Sequence, residues 1–349
     1  MQQVPLNNIF RNLVPYVAGE QPSEKNIIKL NTNENPFPIP KKMLDSIKKQ
    51  ITGSISRYPD PQAINLRKTI GNRYGFSPEW IFAGNGSDEI LRLCINAFSN
   101  KDETIVFPYP SYPLYETLPI IADRKPHRIN LKNDFSISDD FVNGYTDSVK
   151  IIANPDSPSG HLHPIRQIKK IVKKSQRVFI IDEAYVDFAK TSCLPLVKDF
   201  ENIIVVRSFS KSFSLAGMRI GYCFGNPYLI SALLKIKDSY NLNTISQIAG
   251  IEAMKYYRFM QYHCRKIAKN KNYLKIKLEK LGFYVVPSSA NFILVKPSHI
   301  KAKNLYETLK QRKILVRYFD VLPLKDYLRI SIGSMKEIKS LLLAIKKTI

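Results

Sequence analysis

The stretch Asn202-Ile-Ile-Val-Val-Arg-Ser-Phe-Ser-Lys-Ser-Phe-Ser-Leu-Ala-Gly-Met-Arg219 joins an apolar run to a lysine set among serines and followed by an arginine. Four comparable runs precede it, at Trp80 to Ala83, Thr104 to Phe107, Lys150 to Ala153 and Arg177 to Ile181. They do not alternate polar with apolar residues, and longer amphipathic segments separate them. That is the pattern of parallel strands covered by helices on both faces. The expected fold class is α/β, with a mostly parallel central sheet.

Each run leads into polar residues: Gly84-Asn-Gly-Ser-Asp-Glu89, Pro108-Tyr-Pro-Ser-Tyr112, Asn154-Pro-Asp-Ser-Pro-Ser-Gly160, Asp182-Glu-Ala-Tyr185, and Ser208 to Arg219. Asp182 lies 28 residues after Asn154 (182 − 154), and Lys211 lies 29 after Asp182 (211 − 182). Each interval is about the length of one βαβ unit. These residues therefore gather at the carboxyl ends of parallel strands, where open α/β sheets bind ligands.

Arg219 to Gly225 reads as one more strand, and the chain from about Pro227 to Leu281 is more helical, with a break near Asn241 to Thr244. From Phe283 to Ile349 short strands alternate with helices, which suggests a smaller α+β domain. The Pro- and Gly-containing N-terminus reads as an arm rather than a long helix. The expected division is an arm at 1–32, packing with the small domain and a partner subunit, a large domain at 33–245 and a small domain at 246–349.

Composition narrows the function classes. The chain has 349 residues, 44% of them hydrophobic and 23% charged, as in soluble globular proteins. No apolar run approaches the ~20 residues needed to span a bilayer, and the first residues lack the basic and apolar regions of a signal peptide, so a cytoplasmic location is expected. Cys94, Cys193, Cys223 and Cys264 are too far apart for a disulfide framework or a zinc site. His161-Leu-His163 has no further ligand at metal-binding spacing, so no metal is expected. The formal charge of +24 favours anions in general. Its lysines are spread along helical segments at 41–49, 165–174 and 266–280, as on solvated helix faces, and no dedicated nucleic-acid function is expected.

Glycines ahead of a helix whose cap is Ser87 suit either a phosphate or a plain capped helix with Asp88 and Glu89 in its first turn. Ser208, Ser210 and Arg219 add hydroxyl donors and a fixed cation, which makes a phosphate the better explanation. A strand-end lysine near a phosphate site, with a carboxylate one strand away, matches the needs of a pyridoxal phosphate enzyme. The amine condenses with the cofactor aldehyde, and the carboxylate keeps the ring nitrogen protonated. Lys211 and Asp182 fill those places.

Ser208 to Tyr222 resembles the lysine signature of the class II pyridoxal-phosphate-dependent aminotransferases of fold type I, and the similarity covers essentially the whole chain. Within that group the chain is most similar to the histidinol-phosphate aminotransferase family. The supporting motifs are Leu13-Val-Pro-Tyr16, Asn33-Glu-Asn-Pro36, Arg57-Tyr-Pro-Asp60, Gly84-Asn-Gly-Ser-Asp-Glu89, Asp182-Glu-Ala-Tyr185 and Leu328-Arg-Ile-Ser331. The resemblance implies that Lys211 anchors pyridoxal 5'-phosphate and then carries the transferred proton, while Asp182 pairs with the pyridine nitrogen. It implies Asn154 and Tyr185 at the phenolic oxygen and Tyr112 stacked on the ring. Ser87, Asp88, Ser208, Ser210 and Arg219 would surround the phosphate, with Tyr58 reaching it from the partner subunit of a homodimer.

Arg317 and Arg329 would capture substrate anions, since a planar guanidinium fork holds a carboxylate or a phosphate equally well. Tyr16 would close over the substrate. Arg317 could instead be an exposed strand residue, and Tyr16 a residue packed at a dimer interface. The implied reaction moves an amino group between L-histidinol phosphate and 2-oxoglutarate in histidine biosynthesis. Threonine-phosphate decarboxylation and aromatic amino acid transamination are alternatives on the same scaffold, and a basic nucleic-acid-binding protein is the alternative from another class. Two departures are visible: Asp156, Ser157 and Ser159 stand where the family often has Asn, Asn and Thr, and Ser208 stands where Thr is common.

Overall fold

The structure, a computed structural model, describes residues 13, 19–22, 24 and 26–349. Tyr16 lies outside the described residues. The strands, in chain order, are β1 (Ile28–Lys29), β2 (Ile81–Gly84), β3 (Thr104–Tyr109), β4 (Lys125–Asn130), β5 (Val149–Ala153), β6 (Phe179–Asp182), β7 (Ile203–Ser208), β8 (Gly221–Gly225), β9 (Tyr284–Val285), β10 (Phe292–Lys296), β11 (Ile314–Leu315), β12 (Arg317–Tyr318) and β13 (Leu328–Ser331).

Seven of them form the large sheet in the order β2-β8-β7-β6-β5-β3-β4. Every pairing is parallel except those of β8, which runs against both β2 and β7. The apolar runs behave as doubly covered strands. Ile203 and Val205 face one core with Phe179 and Ile181, while Ile204, Val206 and Ile180 face the other. Burying each such side chain stabilises the fold by about 1.5–3 kcal/mol. The edge strand β4, Lys-Pro-His-Arg-Ile-Asn, was not expected. Only Ile129 of its six residues is buried, so no apolar run marks it.

The smaller sheet has the order β12-β13-β10-β9 and is antiparallel. β1 pairs with β11, tying the end of the expected N-terminal arm to this part of the chain. The core changes hands within one helix, Tyr257–Glu279. Met260 and Cys264 pack into the core of the large sheet, whereas Ile267, Leu274 and Leu278 pack into that of the small one. This lies beyond the expected boundary at 245/246, because the helix Thr244–Lys255 packs on the helices Lys41–Gln50 and Ile64–Tyr74 of the large domain.

The register brings the expected residues to one rim. Asp182 is the Cα partner of Ala153 on β5 and of Val206 on β7. Gly221, the first residue of the reversed strand β8, pairs with the last residues of both neighbours, Gly84 and Ser208. Arg219, two residues before β8, thereby reaches the same rim as Lys211.

Candidate active site

A cavity of about 380 Å³ opens between this rim and the small sheet. Its lining includes Ser87, Asp88, Tyr112, Asp182, Tyr185, Ser208, Ser210, Lys211, Arg219, Arg317 and Arg329. Eleven side chains singled out in the sequence thus share one space.

Lys211 sits on the loop between β7 and β8. Its Nζ donates to the carbonyl of Thr32 (3.1 Å) and lies 6.0 Å from the centre of the Tyr185 ring. The loop is pinned by Asn35, whose Nδ2 donates to the carbonyls of Lys211 and Ser212 (3.1 Å each). Asp182 ends β6 and is almost wholly buried. Its carboxylate accepts from Tyr115 Oη (2.8 Å) and from the Ala184 amide (3.0 Å). These neutral donors only partly offset the loss of water, so burial pushes the Asp182 carboxyl up to about 6.

At the other end the helix Gly86–Phe98 starts directly after β2. Asn85 is its N-cap residue and no side chain caps it, so Ser87 is not the cap expected from the sequence but a first-turn residue facing the cavity. An uncapped helix start offers its amides to an anion. Asp88 accepts from Arg219 Nη2 (3.1 Å) and from Tyr112 Oη (3.2 Å), which sets both beside the helix start. The approach is close: a Cβ on Gly86, at φ 83°, would stand 2.6 Å from Arg219 Nη2, and one on Gly221 would stand 2.4 Å from the Gly86 carbonyl carbon. Glycine is required at both positions.

The small sheet contributes Arg317 and Arg329, which are direct cross-strand partners on β12 and β13. Two like charges placed opposite each other repel unless an anion lies between or above them. Each guanidinium stands 5.6 Å from the Phe319 ring centre. Arg329 donates through Nη2 to the Asn31 carbonyl (3.0 Å) and through Nη1 to Ser157 Oγ (3.3 Å).

Two expected residues lie elsewhere. Asn154 does not line the cavity: its Oδ1 accepts from the His163 amide (2.8 Å) and its Nδ2 donates to the His163 carbonyl (3.3 Å), so the side chain is spent on shaping its own loop. Ser157, three residues on and noted only as a departure, is the residue of that loop that lines the cavity. Tyr58 is 80% exposed and stacks on Tyr240, with ring centres 4.3 Å apart, outside the cavity of its own chain. The sequence reading also missed Tyr115 and Asn33. Tyr115 follows Tyr112 by three residues at the start of the helix Leu114–Ile121, a spacing that brings two side chains to one side of a helical turn.

These residues fit pyridoxal 5'-phosphate. A buried carboxylate hydrogen-bonded only by neutral donors suits a protonated ring nitrogen. The lysine is suited to an aldehyde, and the uncapped helix start with Ser208, Ser210 and Arg219 suits a phosphate. Site and sheet together define a pyridoxal-phosphate-dependent enzyme of fold type I.

The chain belongs to the aminotransferase class I and II family, which matches it over residues 25–345. It is 43% identical to a histidinol-phosphate aminotransferase of Clostridium botulinum (strain Okra / Type B1), with 98% of each chain covered. It is 40% identical to one of Rhodopirellula baltica, with 95% and 92% covered. Among solved structures it is similar to the histidinol-phosphate aminotransferase of Clostridium acetobutylicum, at 26% identity and a TM-score of 0.86, covering 92% of this chain and 99% of that one. The Sinorhizobium meliloti histidinol-phosphate aminotransferase, solved with pyridoxal-5'-phosphate, shares the fold at 23% identity and a TM-score of 0.88, with 99% and 98% covered.

Proposed function

We propose that this enzyme transfers an amino group between L-histidinol phosphate and 2-oxoglutarate, as a cytoplasmic homodimer in histidine biosynthesis. The observation that carries the chemistry is the convergence of Lys211, Asp182 and Arg219 in one cavity whose opposite wall bears Arg317 and Arg329. The near full-length similarity to histidinol-phosphate aminotransferases supports the choice of substrate.

When bound, the cofactor supplies an electron sink for the negative charge that develops at the amine-bearing carbon. Lys211 would anchor the cofactor, and its Nζ would take up and return the proton of the amine-bearing carbon. Asp182 would pair with the protonated ring nitrogen, and that cation would offset the cost of keeping its carboxylate ionised in a buried place. Ser87, Ser208, Ser210 and Arg219 grip the phosphate, and Tyr112 orients the ring. Tyr185 would donate to the phenolic oxygen of the cofactor, and Ser157 lies toward the small sheet, bonded to Arg329. Arg317 and Arg329 take the substrate's phosphate in one half-reaction and the carboxylate of the 2-oxo acid in the other. Tyr58, exposed on its own chain, serves the partner's phosphate site.

The test pairs three amino donors against 2-oxoglutarate. Glutamate formed from histidinol phosphate in preference to an aromatic amino acid supports the proposal. Carbon dioxide released from phosphothreonine, without glutamate from histidinol phosphate, replaces it with the decarboxylase reading.

A further inference from the structure

Asn33 has no role in the reaction just proposed, yet it is one of the most firmly held polar residues in the molecule. It is 1% exposed and has a left-handed backbone, with φ 57°. Its amide N–H donates to Ser331 Oγ (2.8 Å), and its carbonyl accepts from Asn291 Nδ2 (2.9 Å). Because Ser331 Oγ accepts from that N–H, its own proton is left to donate, and it reaches Asn33 Oδ1 (2.9 Å). The oxygen end of the side chain is thereby assigned. The other end, Nδ2, donates to Tyr185 Oη (3.0 Å).

A phenol has one proton. A hydroxyl that accepts from an amide turns a lone pair toward it and its proton away, and Tyr185 lines the cavity. We infer that Asn33 is a positioning residue that keeps the Tyr185 hydroxyl as a hydrogen-bond donor to an anionic oxygen in the cavity. The inference rests on the proposed function, in which that oxygen is the phenolic oxygen of the cofactor. It also gives the small sheet a hold on the cofactor end of the site, because Ser331 lies on β13 two residues from Arg329.

The test replaces Asn33 by Asp, which has nearly the same shape and tolerates φ > 0. An ionised carboxylate can still accept from Ser331, but it faces Tyr185 with an acceptor and draws the phenol proton away from the cavity. The charged groups lining that space, Glu34, Asp88, Asp182, Lys211, Arg219, Arg317 and Arg329, are unaltered. The readout is the pH midpoint of the cofactor absorbance change in the holoenzyme. Losing one charge-assisted hydrogen bond to the anionic form moves that midpoint upward by about one unit in Asn33→Asp. Asn33→Gly, which suits the left-handed backbone, gives a smaller upward shift and decides alone if the Asp variant does not fold. In a Tyr185→Phe background Asn33→Gly moves the midpoint no further, and Asn33→Asp moves it only by the through-space effect of its added charge, less than when Tyr185 is present. An unshifted midpoint in a folded variant, or an equal shift in the Phe background, overturns the inference. A wild-type protein that binds no pyridoxal phosphate instead overturns the proposed function.

Discussion

The wall of the cavity built by the large sheet and the wall built by the small sheet hold their charges by opposite means. On the large sheet Asp182 is almost wholly buried at the end of a strand paired on both sides, and burial raises its pKa. On the small sheet Arg317 and Arg329 are only half-buried and face each other across short strands, beside a shared aromatic ring. The first arrangement fixes one charge in one place. The second concentrates positive potential over a region, which suits the proposed capture of anions of different shape. Chemistry that is the same in both half-reactions belongs on the rigid wall, and recognition that must change between them belongs on the other.

Substitutions that separate kcat from KM break or sharpen this contrast. The largest effect is expected on the rigid wall, where Lys211→Ala lowers kcat by about 10⁴-fold, the upper end for losing a positioned proton carrier. Turnover close to wild type would remove Lys211 from the chemistry. Asp182→Asn lowers kcat by about 10²–10³-fold, as for losing one preorganised electrostatic contact, with little change in KM for the amino donor.

The same change makes a second prediction about stability. The pKa of Asp182 is raised from 3.8 to about 6 in the folded, cofactor-free protein. Its contribution is therefore favourable below about pH 4 and is lost as the pH rises through about 6. Asp182→Asn should stabilise the cofactor-free protein at pH 7 by up to about 3 kcal/mol, at ~1.36 kcal/mol per unit, and so raise its Tm there but not at pH 4. A variant less stable than wild type at pH 7 would show that the carboxylate is not under strain.

On the other wall, Arg329→Lys keeps the charge but loses the fork. It should raise KM for both the amino phosphate and the 2-oxo acid by about 10–100-fold and leave kcat within a few-fold. A rise for one substrate only would divide the two anions between different residues. Smallest of all, Ser157→Ala removes one partner of Arg329 and should raise KM by about 2–10-fold, measured by the same initial-rate assay.

Much of the rigid wall was legible in the sequence, because an apolar run followed by a polar break marks a buried parallel strand and its ligand-facing end. Asp182 and Lys211 could be placed at the rim from spacing alone. Asn154 shows the limit of that rule. It lies at the correct rim, yet its amide turns back to the His163 backbone, and spacing carries no information about where a side chain points. Tyr115 was hidden because its role depends on a helical turn bringing it under Asp182. The small-sheet wall was less legible: Arg329 becomes a neighbour of Asn31 and Ser157 only when segments far apart in sequence are folded together. Asn33 looked like part of a motif, but its function as a hinge of hydrogen bonds between Ser331 and Tyr185 is purely tertiary.

The reversed strand β8 has one more consequence. In a wholly parallel sheet the chain would leave the rim after Lys211 and return to the opposite edge before starting the next strand, so the covalent grip proposed for Lys211 and the phosphate grip proposed for Arg219 would belong to separate loops. Here the chain turns straight back, and Lys211 and Arg219 share one short loop clamped at both ends, by Ser208 and by Gly221, to the same ladder. The two grips form a single caliper whose jaw spacing is set by backbone pairing, so an insertion or deletion between them would spoil both at once.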